Sequence, residues 1–229
     1  MIESNYTEKD ESYFAKLKTQ VFDASHSYLE VLKAQENFVL KAAQGPQILW
    51  GEHSPTVTLG KRCDELETLT AFPADWTQAK IERGGQVTLH SPGQLVCYPI
   101  LDLRRINLSI RDYIAVLENS ITKTLLWFSI QSLKKEGITG VFTEVGKIAF
   151  IGIRVKRGVT MHGISINVKN NLEPFQWISA CGITKGKFDK VENYRPRISV
   201  AEVASIWQRY FLEEIRSSNQ HRESLILNS

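Results

Sequence analysis

The stretch KIAFIGIRVKRGVTMHGISINV, residues 147–168, decides the fold. It is rich in β-branched residues and free of proline, so it predicts two strands, 147–155 and 163–168, joined by KRGVTMH. In the first strand Lys147, Ala149, Ile151, Ile153 and Val155 share a face, which sets Lys147 at the end of an apolar row. A lysine there is desolvated, which disfavours its charged form and makes it a candidate base. The plainer reading, a solvated strand-end lysine, is the one that pattern alone favours. The run RVKR at 154–157 reads as a solvated turn, or as a landing patch for an acidic carrier protein.

Outward from that stretch the elements do not alternate regularly. Residues 25–44 lack Gly and Pro and predict a helix that stops near Gly45-Pro46. ILW at 48–50 and TVTL at 56–59 predict short strands around a turn at His53-Ser54-Pro55. LVCYPILDL at 95–103 predicts an apolar strand, with Pro99 hinting at an edge or a bulge. Ser109 starts a helix with Asp112 as capping-box partner, and Ile110, Tyr113, Ile114, Leu117, Ile121 and Leu125 fall on one face. A last helix begins at Val200 with Val203, Ala204, Trp207 and Tyr210 on one side. This order favours an α+β fold with a mixed β-sheet flanked by helices. Neither repeat nor linker divides the 229 residues, so 1–229 is expected to be a single domain, with about 1–12 and 217–229 loosely ordered.

A net charge of +3 argues against a dedicated nucleic-acid binder. The N-terminus MIESNYTEKDES shows no signal-peptide core, and no apolar run approaches a membrane span, so a soluble cytoplasmic protein is expected. Cys63, Cys97 and Cys181 are odd in number and widely spaced, which fits free thiols rather than a disulfide framework. The five histidines have no ligand-like spacing, so no metal is expected.

Two further segments bear chemistry. In RGGQVTLHSPGQ, Gly84-Gly85 and Pro92-Gly93 allow tight turns and close approach to a ligand, while Arg83 and His90 supply polar handles. A surface hairpin is the bland alternative. Cys181, followed by Gly182 after FQWISA, offers a thiol with room for a substrate carbonyl, against the common fate of an inert buried cysteine. Cys63 and Cys97 fit the inert reading better.

RGGQVTLHSPGQLVCYPILDL, KIAFIGIRVKRGVTMHGISINV and PFQWISACG, with EHSPTVTLGKR upstream, closely resemble the lipoyl(octanoyl)transferases, in order from about Gln47 to about Ile183. The resemblance implies the catalytic-module fold of biotin and lipoate protein ligases. It implies transfer of an octanoyl group from an acyl carrier protein thioester to a lysine of a lipoyl domain, the first step of protein lipoylation, with no cofactor. By motif position Cys181 would carry the acyl thioester, and Lys147 would lower its thiol pKa and move protons. Arg83, Gly84, Gly85, Gln86, Val87, Thr88, Leu89 and His90 would line the substrate site, with Phe150, Ile151, Gly152, Gly163, Ile164 and Ser165. Four positions depart from the family pattern: Leu89 and Ser91 stand for its tyrosine and glycine, Cys97 for a glycine and Ala180 for a proline. The rival readings are an ATP-dependent ligase of the same fold, which would need Lys147 but not Cys181, and a non-catalytic binder of acyl carrier or lipoyl domains.

Overall fold

The computed structural model describes residues 12–61, 63, 72–178 and 187–227, from 219 onward by backbone alone. In chain order it contains β1 (Lys18–Phe22), α1 (Tyr28–Leu40), β2 (Gln47–Gly51), β3 (Thr56–Leu59), β4 (Thr77–Lys80), β5 (Val87–His90), β6 (Gln94–Ile100), α2 (Ile110–Trp127), β7 (Leu133–Lys135), β8 (Ile138–Phe142), β9 (Lys147–Lys156), β10 (Val159–Asn167) and α3 (Val200–Leu227). Seven strands form one sheet in the order β1-β2-β6-β10-β9-β8-β7, and three form another, β4-β3-β5. β1 with β2 and β3 with β4 run parallel; the other pairings are antiparallel. The α+β expectation with a mixed sheet holds.

β6 is buried along its whole length. Its alternate residues feed two cores. Leu95 and Cys97 pack beneath α2 and α3, while Val96, Tyr98 and Ile100 pack beneath α1. A strand covered on both faces reads as a continuous apolar run, which is how 95–103 looks in sequence. Across the helical layer, Trp207 stacks on Phe211 with centroids 4.9 Å apart and donates its Nε1–H to Ser120 Oγ at 3.0 Å. The backbone of 217–227, expected to be loose, continues α3 to Leu227.

Local signals set the helix starts. Ser109 caps α2 by accepting the Asp112 N–H at 3.2 Å. Tyr113, Leu117, Ile121 and Leu125 are buried as expected, but Ile110 is exposed. It is the first helical residue, and a helical side chain covers the turn N-terminal to its own Cα. α1 begins at Tyr28 rather than near Ser25, because Ser27 and Glu30 form a complete capping box. β2 and β3 flank the turn at 53–55 as expected, and belong to different sheets.

The β9–β10 hairpin turns on Arg157 and Gly158, both at positive φ (54° and 85°), the geometry of a two-residue primed turn. β10 therefore starts at Val159, and residues 160–162, expected in the connection, lie within the strand. Pro99 is not at an edge, since β6 sits between β2 and β10. Instead it interrupts the β6–β10 ladder, whose continuous register ends at Ile164↔Cys97. Proline has no N–H to give its neighbour. Opposite it, His162 takes φ 55° and turns its N–H to Gln35 Oε1 at 2.8 Å. Thr160 Oγ1 then donates to the Pro99 carbonyl at 2.7 Å and accepts the Leu101 N–H at 2.9 Å.

β9 carries a second irregularity. Val141 pairs with Ala149 and Phe142 with Lys147, so two steps of β9 oppose one step of β8 and one residue is extra. Ile148 and Ala149 both pack into the main core. Lys147 consequently does not share the face of Ala149, Ile151, Ile153 and Val155; it is turned to the face of Phe150. Gly140, at φ 124°, makes room for it: a Cβ there would lie 2.6 Å from the Ala149 carbonyl oxygen and 2.7 Å from Lys147 Cε. Gly140→Ala should therefore lower stability by about 1–2 kcal/mol or more, read as a shift of the urea midpoint. An unchanged midpoint would refute this account of the bulge.

Candidate active site

The face of β9 that carries Phe150 looks across to the smaller sheet. Between them Lys147, Phe150, Ile151 and Gly152 of β9 and His162, Gly163, Ile164 and Ser165 of β10 line one pocket. Val87, Thr88 and His90 of β5, with Arg83 and Gly85 of the loop before it, close the pocket, and Tyr28 of α1 and Tyr98 of β6 complete the lining. Lys147 is buried. Its Nζ donates to the Thr139 carbonyl at 3.0 Å and lies 4.9 Å and 5.4 Å from the ring centroids of Phe150 and Phe142. Phe150 stacks on Phe175 at 5.2 Å, and Phe175 on Phe188 at 4.6 Å. An amine is thus held against aromatic faces at one end of an otherwise apolar wall.

Arg83 is fixed by β3. Its Nε and Nη2 donate to Thr58 Oγ1 at 3.2 and 2.9 Å, its Nη2 to the Thr58 carbonyl at 2.8 Å, and its Nη1 to the Gly84 carbonyl at 3.0 Å. Gly152 gives it space, since a Cβ there would stand 3.1 Å from Arg83 Cδ. The Gly84 N–H donates to the Ile153 carbonyl at 2.8 Å, so the glycine-rich loop is bonded directly to β9.

A network of buried polar side chains connects with the pocket residues Tyr98 and His90. His53 Nε2 is 2.9 Å from Tyr98 Oη, and His90 Nδ1 donates to Gln94 Oε1 at 2.8 Å. Gln94 Nε2 donates to Asn167 Oδ1 at 3.0 Å, and Asn167 Nδ2 donates to the Asp189 carbonyl at 3.0 Å. The chain of bonds ends on Lys147, whose carbonyl accepts the Asp189 N–H at 3.0 Å. Asp189 is itself a hub. Its carboxylate accepts from Asn193 Nδ2 (2.8 Å), Tyr194 Oη (2.6 Å), the Lys190 N–H (2.8 Å) and Thr143 Oγ1. Thr88 Oγ1 and His162 Nδ1 line the pocket without a protein partner among the described residues, so both remain open to a bound group.

Of the expected site residues, Arg83, Gly85, Val87, Thr88, His90, Lys147, Phe150, Ile151, Gly152, Gly163, Ile164 and Ser165 meet at the pocket. Gly84 and Gln86 line an adjoining groove, and Leu89 turns into the apolar cluster of Val57, Phe150 and Phe175. Cys181 lies outside the described residues. Sequence alone does not single out Tyr28, Tyr98, His53 or Gln35 for the site. Their signal is three-dimensional, because Gln35 meets His162 from 127 residues away. In sequence His162 is one of five histidines without ligand-like spacing, at the end of the connection KRGVTMH.

Burial keeps the pocket histidines His90 and His162 neutral, and with them His53, packed beside His90. Burial and then His90 hold His53 down to about 2. Burial holds His90 at about 4, with Arg83 adding to it and the Gln94 bond opposing. Burial, with Arg83, Arg154 and His90, holds His162 at about 3. Each native value lies below the unfolded histidine value of about 6.5, so the unfolded chain takes up protons first as pH falls. The stability present above about pH 6.5 should be lost progressively toward pH 4, at up to about 1.4 kcal/mol per pH unit for each histidine. Urea midpoints at pH 7.5 and 5.0 check this; equal midpoints would contradict it.

The family described as Lipoyl protein ligase A/B catalytic domain matches residues 27–212. The octanoyltransferase of Hahella chejuensis is 36% identical over 188 residues, covering 81% of this chain and 83% of that protein. That of Legionella pneumophila (strain Corby) is 36% identical over 191 residues, covering 82% and 95%. Among solved structures, a bi-partite lipoate protein ligase from Thermoplasma acidophilum matches with a TM-score of 0.69 and 14% identity, over 90% of this chain and 91% of that one. Likeness at so low an identity speaks to the fold, whereas the sequence matches speak to descent, and both agree: the chain belongs to the lipoyl protein ligase A/B catalytic-domain family.

Proposed function

We propose that this chain moves an octanoyl group from the thioester of an acyl carrier protein to a lysine ε-amine of a lipoyl domain, with Cys181 as nucleophile and Lys147 as its proton partner. Relatives of more than 80% shared coverage are octanoyltransferases. The observation that carries the mechanism is the setting of Lys147. Its amine is buried at the pocket, and the chain on either side of residues 179–186 is fastened beside it. Lys147 N–H donates to the Lys187 carbonyl at 2.8 Å, Phe188 forms a bridge with Lys147, and Phe175 and Ile178 pack with Phe150. Cys181 is thus three residues from one anchored flank and six from the other.

The chemistry balances without an external energy source. Lys147 accepts the thiol proton, and the thiolate sulfur attacks the carrier thioester carbonyl. The bond from the carbonyl carbon to the carrier sulfur breaks, and that sulfur takes the proton back from the lysine. One thioester replaces another. The acceptor amine then attacks the acyl-cysteine, its proton passes to Lys147, and the cysteine sulfur leaves and is reprotonated. Formation of the amide drives the sequence forward. Backbone N–H groups of the Gly-rich loop are suited to stabilising the oxyanion.

Cys181→Ala should abolish both transfer and the octanoyl adduct seen by mass spectrometry of the intact protein. Lys147→Ala should lower kcat/KM by about 10²–10⁴-fold while leaving the fold intact. Full activity in either folded variant would reject the assigned role. The fold also serves ATP-dependent ligases, so free octanoate with ATP is the control: product from that mixture, and none from the octanoyl carrier, would replace this reading with the ligase one.

A further inference from the structure

The ladder between β8 and β9 closes at only one end. Its pairings are Val141↔Ala149 and Phe142↔Lys147, and beyond Ala149 the two strands diverge. The gap between them is a groove, with residues 137–139 on one wall, 151–153 on the other and Ile114 of α2 alongside. It adjoins the pocket, and Gly85, Ile151 and Gly152 line both. The groove also reaches Thr139, whose carbonyl holds the Lys147 amine.

Part of what borders this gap is strand backbone. In an antiparallel strand alternate residues turn their N–H and C=O to the same edge. The Ile153 carbonyl is directed to that edge and accepts from Gly84 rather than from β10. Ile151, two residues earlier, presents its N–H and C=O to the same edge, where β8 has already parted from β9. An unpaired strand edge is a template for another extended amide chain. Glycines at 84, 85, 137 and 152 leave that edge free of bulky side chains.

Resting on the octanoyltransferase reading above, we propose that this groove binds the pantetheine arm of the acyl donor, its amides pairing with the backbone of Ile151. The arm is unbranched along most of its length and carries two amides, so it satisfies a strand edge as a peptide does. The other substrate does not: a lysine side chain is four methylenes with no amide, and it would leave the Ile151 peptide unpaired. The groove opens outward past residues 134–139, where Lys134, Lys135, Glu118 and Glu136 stand at its far end. A long tethered arm can therefore enter there and deliver its thioester beside Lys147.

The test compares two soluble octanoyl thioesters, one of pantetheine and one of ethanethiol, in forming the acyl-enzyme. Two net amide hydrogen bonds at about 0.5–1.5 kcal/mol each predict about a tenfold or greater preference in kcat/KM for the pantetheine ester. Ile114→Trp, which fills the groove from α2, should bring that ratio toward one, and Ile138→Trp on the facing wall reads the same ratio should the first variant not fold. Equal kcat/KM for the two esters in the native enzyme would overturn the proposal while leaving the transferase reading intact, as would a preference that both folded variants retain. An enzyme that accepts neither ester nor the octanoyl carrier itself would overturn the transferase reading, and this proposal with it.

Discussion

One additional residue in β9 decides which way Lys147 faces. Strict alternation would align it with Ala149, Ile151, Ile153 and Val155, pointing into the layer covered by α2 and α3. Because Ile148 and Ala149 both occupy that core, the strand reverses its parity and Lys147 is delivered to the side of Phe150. The bulge is held from two directions. Gly140 yields the volume that the lysine stem occupies, and the Thr139 carbonyl accepts a hydrogen bond from the amine. A buried ammonium or amine without such support would be costly.

A second irregularity works on the neighbouring strand. Pro99 lies in the interior of the sheet, where a missing N–H should weaken the ladder. The loss is offset by side chains: Thr160 and Gln35 take up the carbonyl and N–H groups that the ladder leaves open. His162 adopts its left-handed conformation at that break and so reaches the pocket. These two departures from regular β-structure bring Lys147 and His162 to the site, beside Phe150, Ile164 and Ser165 from the regular stretches of the same strands.

The parts of this architecture that were legible in sequence are those governed by neighbours in the chain. The Ser109 cap, the buried stripe of α2, the apolar β6 and the β9–β10 pair follow from local chemistry and periodicity. The facing of Lys147 was not legible, because a bulge depends on how β8 pairs, and nothing in 147–155 announces it. Pro99 was misleading for a similar reason, since its compensation comes from Thr160, 61 residues away, and from the partner that Gln35 offers His162. The loop 83–90 was readable as a site from its glycines and its arginine. Tyr28 and Tyr98, which have ordinary helical and strand surroundings in sequence, were not.

Both outermost strands of the large sheet carry lysines: Lys18 on β1, and Lys134 and Lys135 on β7, a strand exposed at every residue. Two molecules that met side by side along these borders would press ammonium groups together, which guards against runaway sheet-to-sheet aggregation. The strand border at Ile151, proposed above to bind the donor, lies between β8 and β9 within the sheet rather than on either outermost strand. The protein can thus keep an adhesive backbone available to small guests without becoming sticky to its own kind.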